Sequence, residues 1–318
     1  MSDAINRAHI AAYLGNLTSQ RQLAELTVSS YARDLAALAR NTQALPGNPP
    51  FTAVSPVHIR KFTAQMHVHG LSPRSIARTL SAWRGFFGWL AEQVEMPRNP
   101  VDGVKAPKRS QPLPKALSAD DAVRLVSQSS QAAPDASDPA AACDRAMFEL
   151  LYSSGLRVSE LTGLDLRYVQ HAGTSSLGWI DFEAQTVTVT GKGNKMRSVP
   201  VGQPAMAAIA DWIAVRGALV KADPDPLFLS ARGSRISPRL VQLRLKAHAQ
   251  KLGIPADVHP HVLRHSFASH VLQSSGDLRA VQEMLGHASI SSTQVYTSLD
   301  FMRLSQVYDA AHPRAKKR

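Results

Sequence analysis

A proline-rich basic segment divides this chain into two parts. Residues 105–116, with the sequence KAPKRSQPLPKA, contain three prolines and four lysine or arginine residues and show no helical or strand periodicity. Because proline lacks a backbone donor and favours extended backbone, such a segment is typical of a linker between folded units. The sequence therefore predicts one unit over residues 1–104 and a second over residues 117–318.

The first unit has only helical patterns. A serine followed by a proline occurs at 55–56 and at 72–73, and this pair places a capping hydroxyl before a proline at the first helical position. After the second pair, apolar residues recur at the spacing of one helix face, namely Ile76, Leu80, Trp83, Phe87 and Leu90. We expect these side chains to form the core of a small all-helical unit.

The second unit combines helices with one short run of strands. Residues 186–190 (TVTVT) alternate as a strand does, and further strands are predicted at 179–182 and 196–201. A tight GKGNK turn joins the last two as an antiparallel hairpin. Residues 128–141 have the composition of a long flexible loop. The predicted fold class is mainly α with two domains, the second an α+β domain around a small antiparallel three-stranded sheet.

The charge balance suggests a polyanionic partner. Lysine and arginine total 36 against 24 acidic residues, which gives a net charge of +12. The excess is +5 in residues 1–107 and +7 in residues 108–318, so no single charged tail explains it. Such a field favours nucleic acid. On charge alone, a basic protein without such a partner is an equal alternative.

Composition argues against secreted and membrane classes. The single cysteine, Cys143, cannot form an internal disulfide, which fits a reducing compartment. No apolar run reaches the roughly 18 residues that cross a bilayer. The first ten residues, MSDAINRAHI, lack the basic and apolar regions of an export signal. We therefore expect a cytoplasmic protein.

Four short segments of the second unit concentrate polar residues among apolar neighbours, and the first two each have an ordinary structural explanation. In GLRVSEL (155–161), Arg157 lies three residues before Glu160, which alone would suggest an exposed ion pair. The GKGNK turn lacks the spacing of a phosphate-binding P-loop and is followed by a strand, so nucleotide binding is rejected. Lys192 at its tip is a solvated charge unless the turn reaches an active site.

A third segment, HPHVLRH (259–265), favours an anion. If Pro260 starts a helix, His261, Arg264 and His265 lie on one face. The spacing of the two histidines also suits a metal, but no glutamate follows the first one and an arginine on the same face would repel a cation. A guanidinium instead matches the geometry of phosphate.

The fourth segment, LGHASISSTQVY (285–296), supplies His287 and Tyr296. A tyrosine here is ordinarily a packed residue, but a tyrosine can also attack phosphorus when nearby cations favour its phenolate. Two arginines and histidine donors would stabilise the charge that builds on the phosphate oxygens, and a lysine could protonate the departing alkoxide. These parts together predict metal-free cleavage of a phosphodiester.

At these residues the chain resembles the tyrosine recombinase family, and its Xer branch in particular. The family's ordered pattern is matched at six positions: Arg157, Lys192, His261, Arg264, His287 and Tyr296. The resemblance covers most of residues 115–318 and, more loosely, residues 20–104, where the family has a helical core-binding (SAM-like) domain. It identifies Tyr296 as the nucleophile and the other five residues as catalytic.

The resemblance also implies partners and a reaction. It implies a two-domain clamp on double-stranded DNA, a 3′-phosphotyrosyl intermediate and exchange through a Holliday junction, with neither ATP nor a metal as cofactor. A protein of this kind would act with a XerD-type recombinase in a heterotetramer and resolve chromosome dimers at a dif-type site. The segment after Tyr296 would dock on the neighbouring subunit. Longer connections at 41–50, 128–141 and 171–178 depart from the family without displacing a motif residue.

Two other classes remain as alternatives. A DNA-binding or architectural protein with a degenerate catalytic domain would keep the basic charge but would cleave nothing. A metal-dependent hydrolase using the histidines would lose activity in EDTA and form no covalent product.

Overall fold

The protein was analysed as a computed structural model. The structure describes residues 2–108, 116–127, 138–171, 173–191, 195–254, 257–286 and 298–315. These residues form two compact units, Met1–Pro112 and Leu113–Arg318. They are here called the N-terminal unit and, following the family resemblance, the catalytic unit.

The N-terminal unit is built from four helices and one 3₁₀ turn. Their bounds are α1 Ser2–Ser19, α2 Glu25–Gln43, the 3₁₀ turn Phe51–Ala53, α3 Pro56–Val68 and α4 Pro73–Ala91. The helix starts predicted from serine and proline are confirmed for α3 and α4. The Ser72 hydroxyl accepts a hydrogen bond from the Ser75 backbone N–H at 3.2 Å, and Pro73 occupies the first helical position.

The core of this unit includes the predicted helix face. The five residues of the predicted helix face are all buried, and Phe86 is buried with them. The indole N–H of Trp83 donates to the Asp34 carbonyl oxygen at 2.8 Å, which ties α4 to α2. The described part of the unit contains no strand, so the all-helical prediction is confirmed there.

The catalytic unit surrounds a small sheet with helices. Its helices are α5 Ala119–Ser127, α6 Pro139–Ser154, α7 Val158–Thr162, α8 Gln203–Arg216, α9 Pro238–Lys251, α10 Pro260–Ser275, α11 Leu278–Leu285 and α12 Ser298–Ala311. Its strands are β1 Gln170–His171, β2 Thr174–Ser175, β3 Gly178–Asp181, β4 Thr186–Thr190 and β5 Met196–Pro200.

The predicted three-stranded sheet is confirmed. Strands β3, β4 and β5 pair in that order, both pairs antiparallel, with Val187 opposite Val199 across the β4–β5 hairpin. The bounds of β3 and the end of β5 differ by one residue from the predicted ranges. The antiparallel pair of β1 and β2 was not predicted, because two-residue strands carry no periodic signal.

The predicted loop at 128–141 is too long at its C-terminal end. Helix α6 begins at Pro139, and the Asp138 side chain caps it by accepting hydrogen bonds from the backbone N–H groups of Ala140 and Ala141 at 3.0 and 3.1 Å. The pair Asp138-Pro139 is therefore a helix start of the same kind as Ser-Pro. Residues 128–137 lie outside the described residues.

Residues near the C-terminus close the core of the catalytic unit. The Tyr308 hydroxyl of α12 is buried and lies 2.6 Å from the Ser153 hydroxyl of α6. His312 is buried and stacks on Tyr308, with ring centroids 5.0 Å apart. Arg314 pairs with the buried carboxylate of Glu149. Described residues after Tyr296, Tyr308 among them, pack on the unit's own core; docking of this segment on a neighbouring subunit, which the family resemblance implies, stays a prediction.

None of the helices in the described ranges is both long enough and apolar enough to cross a membrane.

We predict that replacing His312 by phenylalanine reduces the acid sensitivity of the fold. Burial lowers the pKa of His312 from 6.5 to about 3. Between pH 7 and pH 5 the unfolded chain therefore gains a proton that the folded chain does not, and the free energy of unfolding falls by about 2 kcal/mol. Urea unfolding of the full chain at both pH values measures this loss. The H312F variant keeps an aromatic ring and should lose correspondingly less; an equal loss in both proteins would contradict the prediction.

Candidate active site

Arg157 is positioned by a sharp turn between two helices. Gly155 ends α6 in the left-handed conformation at φ +58°, and Arg157 is the residue that precedes the first turn of α7. A Cβ atom on Gly155 would lie 2.5 Å from the ring of Phe267 on α10. Only glycine fits both the backbone angle and this close approach, so the turn that presents Arg157 depends on it.

Glu160 joins Arg157 to a second arginine, Arg197 on β5. Its Oε1 accepts hydrogen bonds from Arg157 Nη1 at 2.7 Å and from Arg197 Nη1 at 2.8 Å. Its Oε2 accepts from the Arg157 backbone N–H and from Arg197 Nη2, both at 2.8 Å. The side chains of Glu160 and Arg197 are each only 4% exposed, against 32% for Arg157. The pair predicted from GLRVSEL as exposed is therefore part of a buried network.

The network keeps Glu160 ionised. Burial by itself would raise the pKa of this carboxyl, but the hydrogen bonds and charge of Arg197, together with the bonds from Arg157, lower it to about 2. Glu160 is therefore a carboxylate at every pH at which the protein is expected to work.

Arg264 on α10 approaches the same place from another side. Its Nη1 donates to the Gly155 carbonyl oxygen and its Nη2 to the Leu285 carbonyl oxygen, both at 2.6 Å. The residue is 7% exposed. Burial, followed by repulsion from Arg157, lowers its pKa to about 10, which leaves the guanidinium charged at neutral pH.

All three arginines donate hydrogen bonds to the C-terminal end of α11. The carbonyl oxygens of Met284, Leu285 and Gly286 accept hydrogen bonds from Arg197, Arg264 and Arg157, at 2.8, 2.6 and 3.3 Å respectively. The last carbonyls of a helix have no partner within it and carry partial negative charge, so arginines satisfy them well. Gly286 ends the helix in the left-handed conformation at φ +64°, and His287 follows it in the sequence.

The histidine face predicted on α10 is only partly correct. Pro260 does start the helix, and His261 and His265 are both exposed. Arg264 is buried, however, and points into the arginine network rather than sharing the exposed face. Three residues span about 300° of an α-helix, so Arg264 is offset from His261 by about 60°, and this offset places His261 on the surface and Arg264 in the interior. His270, also in this stretch, is buried and lies 2.9 Å from the Tyr152 hydroxyl.

Three of the predicted site residues, Lys192, His287 and Tyr296, lie outside the described residues. Their flanking elements are described. Lys192 belongs to the turn between β4 and β5, where the Gly191 backbone N–H donates to the Lys195 carbonyl oxygen at 2.8 Å. His287 follows the end of α11, and Tyr296 precedes the start of α12 at Ser298.

Sequence reasoning missed Arg197. A signal for it existed, because β5 alternates: Met196 is exposed, Arg197 is buried, and Val199, two residues on, is buried as well. A period of two therefore places an arginine on the inward face of a core strand. Buried arginines are rare unless they are paired, so this position indicated a buried acidic partner.

The described part of the site is built for an anion. It brings together three guanidinium groups and a single carboxylate, an excess of two positive charges, and the Arg157 side chain of this group is 32% exposed. No cluster of three histidine, cysteine, aspartate or glutamate side chains suited to a metal occurs within the described ranges. The arrangement suits a phosphate group and the extra charge that it acquires when it is attacked.

Comparison with known proteins agrees with this chemistry. Residues 10–93 match the phage integrase N-terminal SAM-like domain, and residues 115–303 match the phage integrase family. The chain is 55% identical over 315 residues to tyrosine recombinase XerC 1 of Ralstonia nicotianae, covering 97% of this chain and 94% of that protein. It is 45% identical over 305 residues to tyrosine recombinase XerC of Escherichia coli, covering 96% of each.

Solved structures show the same fold. A lambda integrase dimer bound to a COC′ core site matches with a TM-score of 0.65 at 17% identity, over 91% of this chain and 99% of that chain. XerH bound to its difH substrate matches with a TM-score of 0.63 at 20% identity, over 94% of this chain and 81% of that chain.

The chain therefore belongs to the phage integrase family, the tyrosine recombinases. It is an enzyme that cleaves and rejoins DNA at specific sites, and DNA is its partner. The relatives quoted above, which it matches over nearly their full length, are tyrosine recombinases of the XerC type.

We predict that Glu160→Gln destabilises the catalytic unit by about 3 kcal/mol, because it leaves the buried Arg197 without its counter-charge. Urea unfolding measures this difference. Glu283→Gln is the matched control, since Glu283 pairs with Arg279 at 2.9 Å on the surface of α11, where such pairs contribute at most about 1 kcal/mol. Similar losses in the two variants would contradict the prediction.

Proposed function

We propose that this chain is the XerC-type subunit of a recombinase that resolves chromosome dimers at a dif-type site. The observation that carries the proposal is the convergence of Arg157 and Arg264 on the end of α11, next to the position of His287 in the sequence. The near-full-length relatives named XerC support the choice of branch. Work on the chromosome would place the protein in the cytoplasm.

In this proposal Tyr296 attacks a DNA phosphate. A bond forms between its phenolic oxygen and phosphorus, and the bond from phosphorus to the 5′ oxygen of the next nucleotide breaks. The phenol of Tyr296 gives its proton to solvent in this proposal, and cations close to the phosphate would favour the phenolate. Arg157 and Arg264, with His261 and His287, would donate hydrogen bonds to the phosphate oxygens as negative charge builds on them.

The leaving oxygen needs a proton, and Lys192 is our candidate for the donor. Lys192 lies in the sequence between β4 and β5, and in this proposal that connection reaches the DNA. The energy of the broken bond is kept in the phosphotyrosyl linkage, so rejoining by a 5′ hydroxyl of the partner duplex needs no ATP. Neither step, as proposed, uses a metal ion.

In the proposed assembly both units contact the duplex, and the basic segment 105–116 joins them in the sequence. The net charge of +5 in residues 1–107 supports DNA contact by the first unit as well. A XerD-type recombinase would bind the other half of the site and complete a heterotetramer of two dimers.

We predict that Tyr296→Phe abolishes the covalent intermediate and leaves DNA affinity within a few fold of wild type. The substitution removes one oxygen, the nucleophile, and no charge. The assay incubates full-length protein with a nicked suicide duplex carrying a dif-type site, in the presence of EDTA, and separates covalent complexes on a denaturing gel.

Tyr168→Phe is the matched control, since Tyr168 is an exposed tyrosine of the same unit and its loss should not change covalent yield. Covalent complexes in Tyr296→Phe would show that another residue is the nucleophile. Loss of wild-type cleavage in EDTA would instead support a metal-dependent hydrolase. Binding without cleavage under all conditions, partner included, would support an architectural protein.

We predict that complete recombination requires the partner. This chain alone should bind a dif-type duplex and cleave the suicide substrate, whereas Holliday junctions should accumulate only after a XerD-type recombinase of the same organism is added. Two-dimensional or native gels of supercoiled plasmids with two sites detect the junctions. Full recombination by this chain alone would show that it acts as a homotetramer.

A further inference from the structure

We propose that Arg197 is a positioning residue for DNA cleavage, which fixes Arg157 through Glu160 and fixes the end of α11 at the same time. The inference rests on the proposed function, because it assigns to Arg157 a contact with the reacting phosphate.

Arg197 is engaged inside the protein rather than at its surface. Its side chain is 4% exposed, and all three guanidinium nitrogens are engaged inside the protein. Nη1 and Nη2 bind the two oxygens of Glu160, and Nε binds the Met284 carbonyl oxygen, each at 2.8 Å. Any effect on the phosphate must therefore pass through these partners.

The first partner is shared with Arg157. Glu160 receives one guanidinium bond and one backbone bond from Arg157, and its two remaining acceptor sites are filled by the fork of Arg197. A bidentate arginine fixes the plane of a carboxylate as well as its place. With Arg197 removed, the Glu160 carboxylate can rotate. Arg157, which is 32% exposed, then loses the fixed acceptor that holds its guanidinium in place.

The second partner is the end of α11. Besides the bond to Met284, the Arg197 side chain packs against Gly286 so closely that a Cβ there would lie 3.0 Å from its Cδ. The Gly286 carbonyl is also an acceptor for Arg157. Arg197 thus holds in place both groups that accept hydrogen bonds from the Arg157 side chain, namely the Glu160 carboxylate and the end of α11. His287 follows this helix end in the sequence.

Two substitutions separate charge from geometry. Arg197→Lys keeps a positive charge next to Glu160 but cannot bind both carboxylate oxygens and the Met284 carbonyl with one planar group. Arg197→Met keeps much of the length and loses the charge. Since a displacement of about 1 Å in a positioning group can cost about 100-fold in rate, we expect Arg197→Met to slow single-turnover cleavage by about that factor, with Arg197→Lys between it and wild type.

DNA affinity should stay within a few fold of wild type in both variants. This split between binding and cleavage is the first readout, because a general loss of folded protein would reduce both. Cleavage is measured well below the midpoint of thermal unfolding of each variant. Arg216→Met is the matched control, since Arg216 is a buried arginine that binds the Pro224, Pro226 and Leu227 carbonyls and should alter stability but not the rate.

A pH profile is the second readout. The charged groups that face Glu160 are Arg157 on the turn before α7, Arg197 on β5 and Arg264 on α10. Without Arg197, Glu160 loses the hydrogen bonds and charge that most lower its pKa, so this pKa rises above its wild-type value, and protonation of Glu160 weakens its hold on Arg157. The rate of Arg197→Met relative to wild type should therefore fall further as the pH is lowered from 7 to 5. Combining Arg197→Met with Glu160→Gln should abolish this additional pH dependence.

The outcomes distinguish the two proposals. Failure of the wild-type chain to form a covalent complex, even with its partner, would overturn the proposed function and this inference with it. Wild-type cleavage together with equally fast cleavage by folded Arg197→Met, or a rate ratio that does not vary with pH, would overturn the role of Arg197 alone.

Discussion

The buried carboxylate of Glu160 is the interaction on which the site depends. A charge removed from water is tolerated only when it is paired and fully hydrogen-bonded, and Glu160 meets this condition with four bonds from two arginines. Its partners come from the turn before α7 and from β5, elements well separated in the sequence. The carboxylate thereby holds the partly exposed Arg157 next to the buried Arg197. Because one negative charge does not neutralise two arginines, a net positive charge remains to bind a phosphate.

Helix α10 connects this site to the start of the catalytic unit. Arg264 on its inward face binds the Gly155 and Leu285 carbonyls, while Ser266 and His270 bind both backbone groups of Leu117. The hydroxyl of Ser266 accepts from the Leu117 N–H at 2.9 Å, and His270 Nε2 lies 3.0 Å from its carbonyl oxygen. One rigid helix thus anchors both a proposed catalytic arginine and the chain where it leaves the basic segment.

Much of the fold could be predicted because helix caps and strand alternation are visible within a few residues. Part of the site could not, because it depends on contacts between residues far apart in the sequence. Ser72-Pro73 and the TVTVT strand signal their structures within a few residues, and both predictions are confirmed. Spacing indicated Arg264 and His261 as parts of an anion site, and the family resemblance added Arg157. Spacing alone could not show that Arg264 is buried and His261 exposed. Arg197 was missed because its partner, Glu160, lies 37 residues away in the sequence, and only the alternation of β5 hinted at its burial.

The way in which residues 304–315 close the catalytic unit has a consequence for synthesis in the cell. Residues of α6 contact Tyr308, His312 and Arg314. The ribosome synthesises α6 long before these three residues. Units generally fold as they emerge, the first before the second, so the helical unit can form early. The catalytic unit must wait with an incomplete core and with Glu149 unpaired. Under the proposed function, a nascent chain would hold DNA through its first unit before it is able to cut it.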